Sequence, residues 1–138
     1  MFKLYFATPE KKVVSDADLE EIRVPAFSGE LDILPGHAPL MTTLDAGILR
    51  YRLKDSPQEH KLAISWGYCQ VSSDGVTVLV EEAAHGDELD LKVIEQHLQE
   101  NENRLASESL DDFEWEKVQH EIARLRAEVN LLNEKNQH

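Results

Sequence analysis

The 138-residue chain is predicted to fold as an all-β N-terminal domain, a β-sandwich of short antiparallel strands, followed by a C-terminal α-helical hairpin. Three observations carry this. Apolar residues alternate with period two in several short runs of the first 85 residues, and turn-forming residues separate those runs. After Gly86 the apolar spacing changes to three and four, which marks helices rather than strands. The expected division is therefore 1–85 for the sandwich and 86–138 for two antiparallel helices.

The strands come first. In ILRYRL, Leu49, Tyr51 and Leu53 alternate with Arg50 and Arg52, as in a strand with one face in a core. Leu62, Ile64, Trp66 and Tyr68 repeat the pattern, and the opposite face of that run is small: Ala63, Ser65, Gly67 and Cys69. Val76, Val78 and Val80 form a third run. Turn signals fall at Ser28-Gly29, Ala46-Gly47, Asp55-Ser56-Pro57 and Asp74-Gly75. The last predicts a type I′ hairpin with positive φ at both central residues.

Two helices follow. Asp87 is placed as N-cap of the first, with Asp90 at the third helical position in a capping-box-like arrangement. Leu91, Ile94, Leu98, Asn101 and Leu105 then line one face up to a break at SESLDD. In the second helix Asp111 is the N-cap and Glu114 the N3 residue, with Leu110 and Trp115 as a hydrophobic staple. Trp115, Val118, Ile122, Leu125, Val129 and Leu132 continue as a coiled-coil-like seam. Such a hairpin has little core of its own, so it needs another surface, either the β domain or a partner.

Charge and composition exclude several classes. The net charge of −13 argues against nucleic acid and against docking on anionic lipid. It is unevenly spread: residues 1–86 carry 13 acidic and 8 basic side chains, residues 87–138 carry 14 and 6. No apolar run approaches the roughly 20 residues that span a bilayer, so no direct membrane span is expected. The opening MFKLYFATPEKK lacks a signal-peptide core and reads as mature protein. One cysteine, Cys69, excludes a disulfide framework and a cysteine-rich zinc site; on a strand among small residues it is a packed hydrophobe rather than a nucleophile. The histidines at 37, 60, 85, 97, 120 and 138 form no HxxxH or HExxH pair. Glu82 and His85 lack a second ligand pair, so no metal and no cofactor are expected.

The chemical candidates sit in GELDILPGHAPLMTTL, residues 29–44. Glu30 and His37 could be the acid/base pair of a small β-module enzyme or ligand-binding domain. Catalysis needs several groups in mutual geometry, and no second acid, oxyanion donor set or nucleophile lies nearby in sequence. A rigid structural turn and a contact loop both rank ahead of it. In the tail, Arg124, Arg126 and Lys135 are either a solvated helix face, with Arg124 paired to Glu128 at i, i+4, or a basic stripe aimed at an acidic partner.

GELDILPGHAPLMTTLDAGILR, then SWGYCQVSSDGVTVLVEEAA, then GDELD opening a helical hairpin, together resemble the ε-subunit family of F-type ATP synthases along essentially the whole chain. The resemblance implies a β-sandwich with a helical hairpin and a non-catalytic place in the rotary stalk. It implies a peripheral position on the cytoplasmic face of a bacterial inner membrane. In that family the sandwich packs on the γ subunit and against the ring of c subunits. The hairpin either folds down on the sandwich or rises along γ into the catalytic head, where it restrains ATP hydrolysis. Glu30 and His37 match the loop that contacts the c ring. Arg126, with Arg124 nearby, matches a basic position facing an acidic loop of the catalytic β subunit, which Ser107 and Ser109 in the inter-helix region also approach. Two departures stand out. Asp90 is followed by Leu91, Lys92 and Val93 where ATP-binding relatives have Asp-x-x-Arg-Ala, so ATP binding is not expected. Trp66 replaces one glycine of a frequent Gly-Gly strand pair.

Overall fold

The computed structural model describes residues 2–135; His138, and the side chain of Lys135, lie outside the described residues. Nine strands form the N-terminal domain: β1 Lys3–Ala7, β2 Lys12–Ala26, β3 Gly29–Ile33, β4 Leu40–Leu44, β5 Gly47–Leu53, β6 Glu59–Ile64, β7 Gly67–Ser72, β8 Gly75–Val80 and β9 Ala83–His85. A 3-10 turn at Gly86–Glu88 leads into α1 Leu91–Ser107 and α2 Asp112–Lys135. The sandwich-then-hairpin order matches the sequence reading, with two differences among the strands. The β1–β8 pairing is parallel, where all pairings were expected to be antiparallel. And β2 is 15 residues long.

The length of β2 has a structural reason. Its first part pairs with β1, and its second part pairs with β3 on one side and β5 on the other. It thereby joins the β1-β8-β7-β4 layer to the β5-β6-β9 layer. Between the layers lies one apolar core: Leu4, Phe6, Ile22, Val24, Ile33, Leu49, Leu62, Ile64, Cys69 and Val78 are all fully buried. All of its fully buried members precede Gly86. Burial raises the Cys69 thiol to about 12, so it is an inert core group, as read from the sequence.

Two local readings are corrected. The run Leu62–Tyr68 is not one strand. The chain bends at Ser65 and Trp66, where Ser65 N–H donates to the Glu82 carbonyl and Trp66 O accepts from Glu81 N–H. The bend carries the chain from one layer to the other and resets the alternation. Trp66 and Tyr68 therefore face outward, 50% and 41% exposed, while Cys69 and Val71 face in. The β7–β8 hairpin exists, but its central residues are Ser73 and Asp74, since Ser72 pairs with Gly75. Neither central residue has positive φ, so the turn is not type I′. Glycine is required at 75 for another reason: a Cβ there would lie 2.0 Å from the Lys3 carbonyl oxygen.

The first helix starts later than expected. Asp90, not Asp87, is its N-cap, accepting from the Lys92 N–H at 3.0 Å and the Val93 N–H at 3.5 Å. Asp87 sits in the preceding 3-10 turn, which is closed by Glu88 accepting from the His85 N–H. The second cap is as read: Glu114 N–H donates to Asp111 Oδ1 at 2.7 Å. Val118, Ile122 and Leu125 of the seam are buried, whereas Trp115 at its start is 47% exposed. Asn101, in the α1 seam, turns its amide back to the His97 carbonyl.

Candidate functional site

The helices fold down on the sandwich. α2 lies on the outer face of β5 and β6, and α1 packs on α2. Because β5 alternates, Leu49 and Tyr51 point into the core, and Ile48 and Arg50 point toward the helix. Ala63 of β6 meets Ala127 and Leu131 of α2 in a small buried cluster, with Ile48 and Leu89 at its edge. Two alanines face to face let the backbones approach closely; little apolar area is buried in return, so the docking free energy from this cluster is small.

Ionic clasps flank the cluster. At the end of α2, Glu134 accepts two parallel hydrogen bonds from Arg50 of β5, both 2.7 Å, and one from Lys61 of β6 at 3.4 Å. Bidentate guanidinium–carboxylate pairs are among the stronger polar contacts. The Arg50 bond, aided by the charge of Lys61, holds the Glu134 carboxyl below its ordinary range. In the middle of α2, Arg124 Nε lies 2.7 Å from Glu82, which sits between β8 and β9. Arg124 also pairs with Glu121 and, at 2.8 Å, with Glu128 of its own helix. Burial works against the charged guanidinium, but the bond to Glu121 and the charges of all three carboxylates push its pKa up. Glu128 is nearly buried. Desolvation, reinforced by the negative charges of Glu82 and Glu121, outweighs Arg124 and raises its carboxyl. One cation is shared among three acids, so the most buried acid is the least satisfied.

The sequence-derived candidates are placed as follows. Arg124 is neither solvated nor free for a partner in this arrangement; its side chain is only 18% exposed and saturated by carboxylates. That corrects the open alternatives of solvated face and outward stripe, because the docked helix turns Arg124 onto the sandwich. Arg126 is 64% exposed and reaches Glu102 of α1 at 3.7 Å. Ser107 ends α1, its hydroxyl donating to the Asn103 carbonyl at 2.6 Å; Ser109 is exposed in the inter-helix loop. Glu30 lies on β3 and pairs with Arg23 at 3.2 Å. His37 is half-buried beyond a turn in which its N–H donates to the Leu34 carbonyl at 3.1 Å. Pro35 and Gly36 are central in that turn, with Gly36 at φ +89°, as a type II turn requires. No hydrogen bond joins Glu30 to His37 among the described residues. Among those residues no group of three or more histidine, cysteine or carboxylate side chains could hold a metal, and no helix is long and apolar enough to cross a membrane.

Sequence reasoning missed Glu82, Arg50, Lys61 and Glu134, the residues that clasp the hairpin. One signal was available. Ala127 and Leu131 are spaced i, i+4 beside the seam, and Ala63 lies on the small face of its strand; facing small and apolar stripes mark helix-on-sheet contact.

Comparison with known proteins agrees with this architecture. The family model for the ATP synthase delta/epsilon chain beta-sandwich domain matches residues 1–86. An ATP synthase epsilon chain of Bdellovibrio bacteriovorus is 40% identical over 132 residues, 96% of this chain and 94% of the relative. The ATP synthase epsilon chain 2 of Syntrophotalea carbinolica is 36% identical over 129 residues, 94% of this chain and 91% of the relative. A chain in the structure of the Euglena gracilis mitochondrial ATP synthase, comprising OSCP, F1 and the c-ring, superposes with a TM-score of 0.80 over 95% of this chain and 81% of that one. At 20% identity that likeness speaks for the fold alone. With the whole β domain matched by the family model and a relative aligned along nearly the full chain, the protein belongs to the ATP synthase epsilon-chain family.

Proposed function

We propose that this chain, as a non-catalytic central-stalk subunit of an F-type ATP synthase, helps couple proton translocation to ATP synthesis through its β domain and restrains ATP hydrolysis through its helical hairpin. The observation that carries the second half is the construction of the hairpin's seat. A three-residue apolar cluster, Ala63, Ala127 and Leu131, and two sets of ion pairs hold α2 to the sheet. The sandwich core, by contrast, owes none of its buried residues to the helices. An element seated mainly by polar contacts can leave without unfolding its support, since locally weak regions open at low free-energy cost.

On this reading the two parts, 1–85 and 86–138, act as separate units. Glu30 and His37 face the c ring from a loop that Pro35, Gly36 and Pro39 stiffen, and the sandwich seats on γ. Once α2 lifts, Arg124 leaves its three carboxylates; it and Arg126, with Ser107 and Ser109, then face the catalytic β subunit. The chain sits peripherally at the cytoplasmic face of the membrane, with no cofactor and no bound ATP.

The test is reconstitution onto a stalk-and-head complex lacking this chain. The full chain should lower ATP hydrolysis, and residues 1–85 should bind γ without lowering it. Equal inhibition by both would refute the role given to the hairpin. His37→Ala should change stability by no more than about 0.5 kcal/mol, as surface substitutions usually do, while reducing proton pumping driven by ATP.

A further inference from the structure

Between the Ser65–Trp66 bend and the first half of α2 lies an open cleft of about 440 Å³. Its aromatic wall is Trp66, half exposed, and Phe113, three-quarters exposed. The His120 imidazole lies against the Trp66 indole, ring centres 6.0 Å apart and planes inclined by 36°. Four carboxylates rim the cleft, those of Glu81, Glu82, Glu116 and Glu121, against the cations Lys117 and Arg124.

These charges are not equally available. Arg124 already engages Glu82 and Glu121. Glu81 and Glu116 have no ion-pair partner among the described residues. Glu81 is held beside the indole, because its N–H donates to the Trp66 carbonyl at 3.1 Å. The cleft therefore pairs an exposed indole face with two uncommitted carboxylates. That combination repels anions and attracts a flat, weakly hydrated cation: indole is the best cation–π acceptor, and a guanidinium stacks on it while bonding carboxylates in its own plane.

We propose that this cleft takes an arginine side chain presented by a partner polypeptide. Size argues for a polypeptide over a free small cation. A guanidinium fills a small part of 440 Å³, and Phe113 offers an exposed apolar wall for the residues flanking the arginine. The charge of this surface is opposite to that of the basic positions near the end of α2, so it receives a different partner segment. One wall, Trp66 and Glu81, comes from the sandwich; the other, Phe113, Glu116 and His120, comes from α2. An occupant touching both walls favours the docked hairpin, by as much as it binds that arrangement more tightly. The site rests on the docked arrangement of α2 and not on what the hairpin does to ATP hydrolysis.

The test uses the isotopically labelled full chain, with the indole N–H signals of Trp66 and of Trp115, which does not line the cleft, as reporter and control. The peptide acetyl-Ala-Arg-Ala-amide should shift the Trp66 signal saturably and leave Trp115 in place. Its citrulline counterpart, isosteric but neutral, should not. Glu81→Gln with Glu116→Gln, both at exposed positions, should weaken binding roughly three- to tenfold, the effect of losing two exposed ion pairs. Equal shifts with the citrulline peptide, absence of saturation, or an unaffected double variant would overturn the proposal. Free arginine amide binding as tightly as the peptide would overturn the polypeptide source.

Discussion

Arg124 of α2 and Glu82 of the sandwich meet at 2.7 Å, and this contact ties the middle of the second helix to the β domain. The same guanidinium neutralises Glu121 and Glu128 on its own helix. Removing Arg124 would thus leave three carboxylates together at the seat of the hairpin, one of them nearly buried. Arg126, two residues on, points to solvent.

The two arginines are therefore expected to behave differently. Arg124→Glu adds a fourth carboxylate and should detach α2. Losing the partner of a fully buried charge costs about 3–5 kcal/mol, and with Glu82 exposed a smaller figure of about 1–2 kcal/mol is expected. Arg126→Glu should leave docking unchanged within about 0.5 kcal/mol. Spin labels at the exposed positions Gln58 and Asn133 report the docked distance. A longer distance in Arg126→Glu, or none in Arg124→Glu, would reassign the clasp. In the assembled enzyme Arg126→Glu should still relieve inhibition, since its proposed partner is met after α2 has lifted.

Docking should depend on pH in two separate windows. Glu128 is raised above its ordinary 4.5 in the docked state, so docking releases no proton from it and favours the neutral form. Its contribution is fully present below 4.5 and is lost as pH rises through the raised value. Glu134 is lowered below 4.5. Its contribution is present above 4.5 and is lost as pH falls through the depressed value. The same label pair should show docking strengthening as pH drops from neutral toward 4.5, then weakening below it. Glu128→Gln should flatten the upper limb only, and Glu134→Gln the lower limb only. A single limb abolished by either variant would show that the two clasps act as one.

Residues 1–85 should fold alone. Every buried member of the main core lies before Gly86, and removal of the helices uncovers only Ala63 and the edge residue Ile48. The fragment should unfold in one cooperative transition, with its midpoint lowered by a few degrees, since about 1 kcal/mol shifts a domain of this size by about 4–8 °C. Circular dichroism and calorimetry on the fragment check this; a broad, non-cooperative transition would show that the helices complete the core.

Asp90 should matter to helix α1 and not to ATP. Its carboxylate is committed to capping the Lys92 and Val93 N–H groups, and Val93 offers no cation to a phosphate. Asp90→Ala is expected to cost about 1 kcal/mol in helix stability, read as lower helicity near α1. Calorimetric titration of the full chain with ATP should give no micromolar binding, in either the wild type or the variant.

Much of this molecule is legible in the amino-acid order, because alternation and helical spacing are local properties. Leu49 and Tyr51 announce a buried strand face, and Val118, Ile122 and Leu125 announce a helix seam. The Pro35–Gly36 turn is likewise a local matter: one residue fixes φ and the next accepts positive φ. Local patterns mislead where the backbone changes direction. Trp66 continues the phase of Leu62 and Ile64 in sequence, yet the bend at Ser65 turns it to solvent. Two acidic residues three apart, Asp87 and Asp90, both qualify as caps, and the intervening 3-10 turn selects the second.

The sequence by itself determined a β domain, a helical hairpin, a strongly acidic chain and a family likeness, each carried by residues close together in the chain. Only the tertiary structure decided where the hairpin rests and which charges hold it there. Arg50 and Glu134 stand 84 positions apart, and no periodicity links them. They meet because Ala63 and Ala127 let α2 approach the sheet closely, and an ion pair of this kind gains its strength from a fixed, partly dehydrated geometry that only the packed chain supplies.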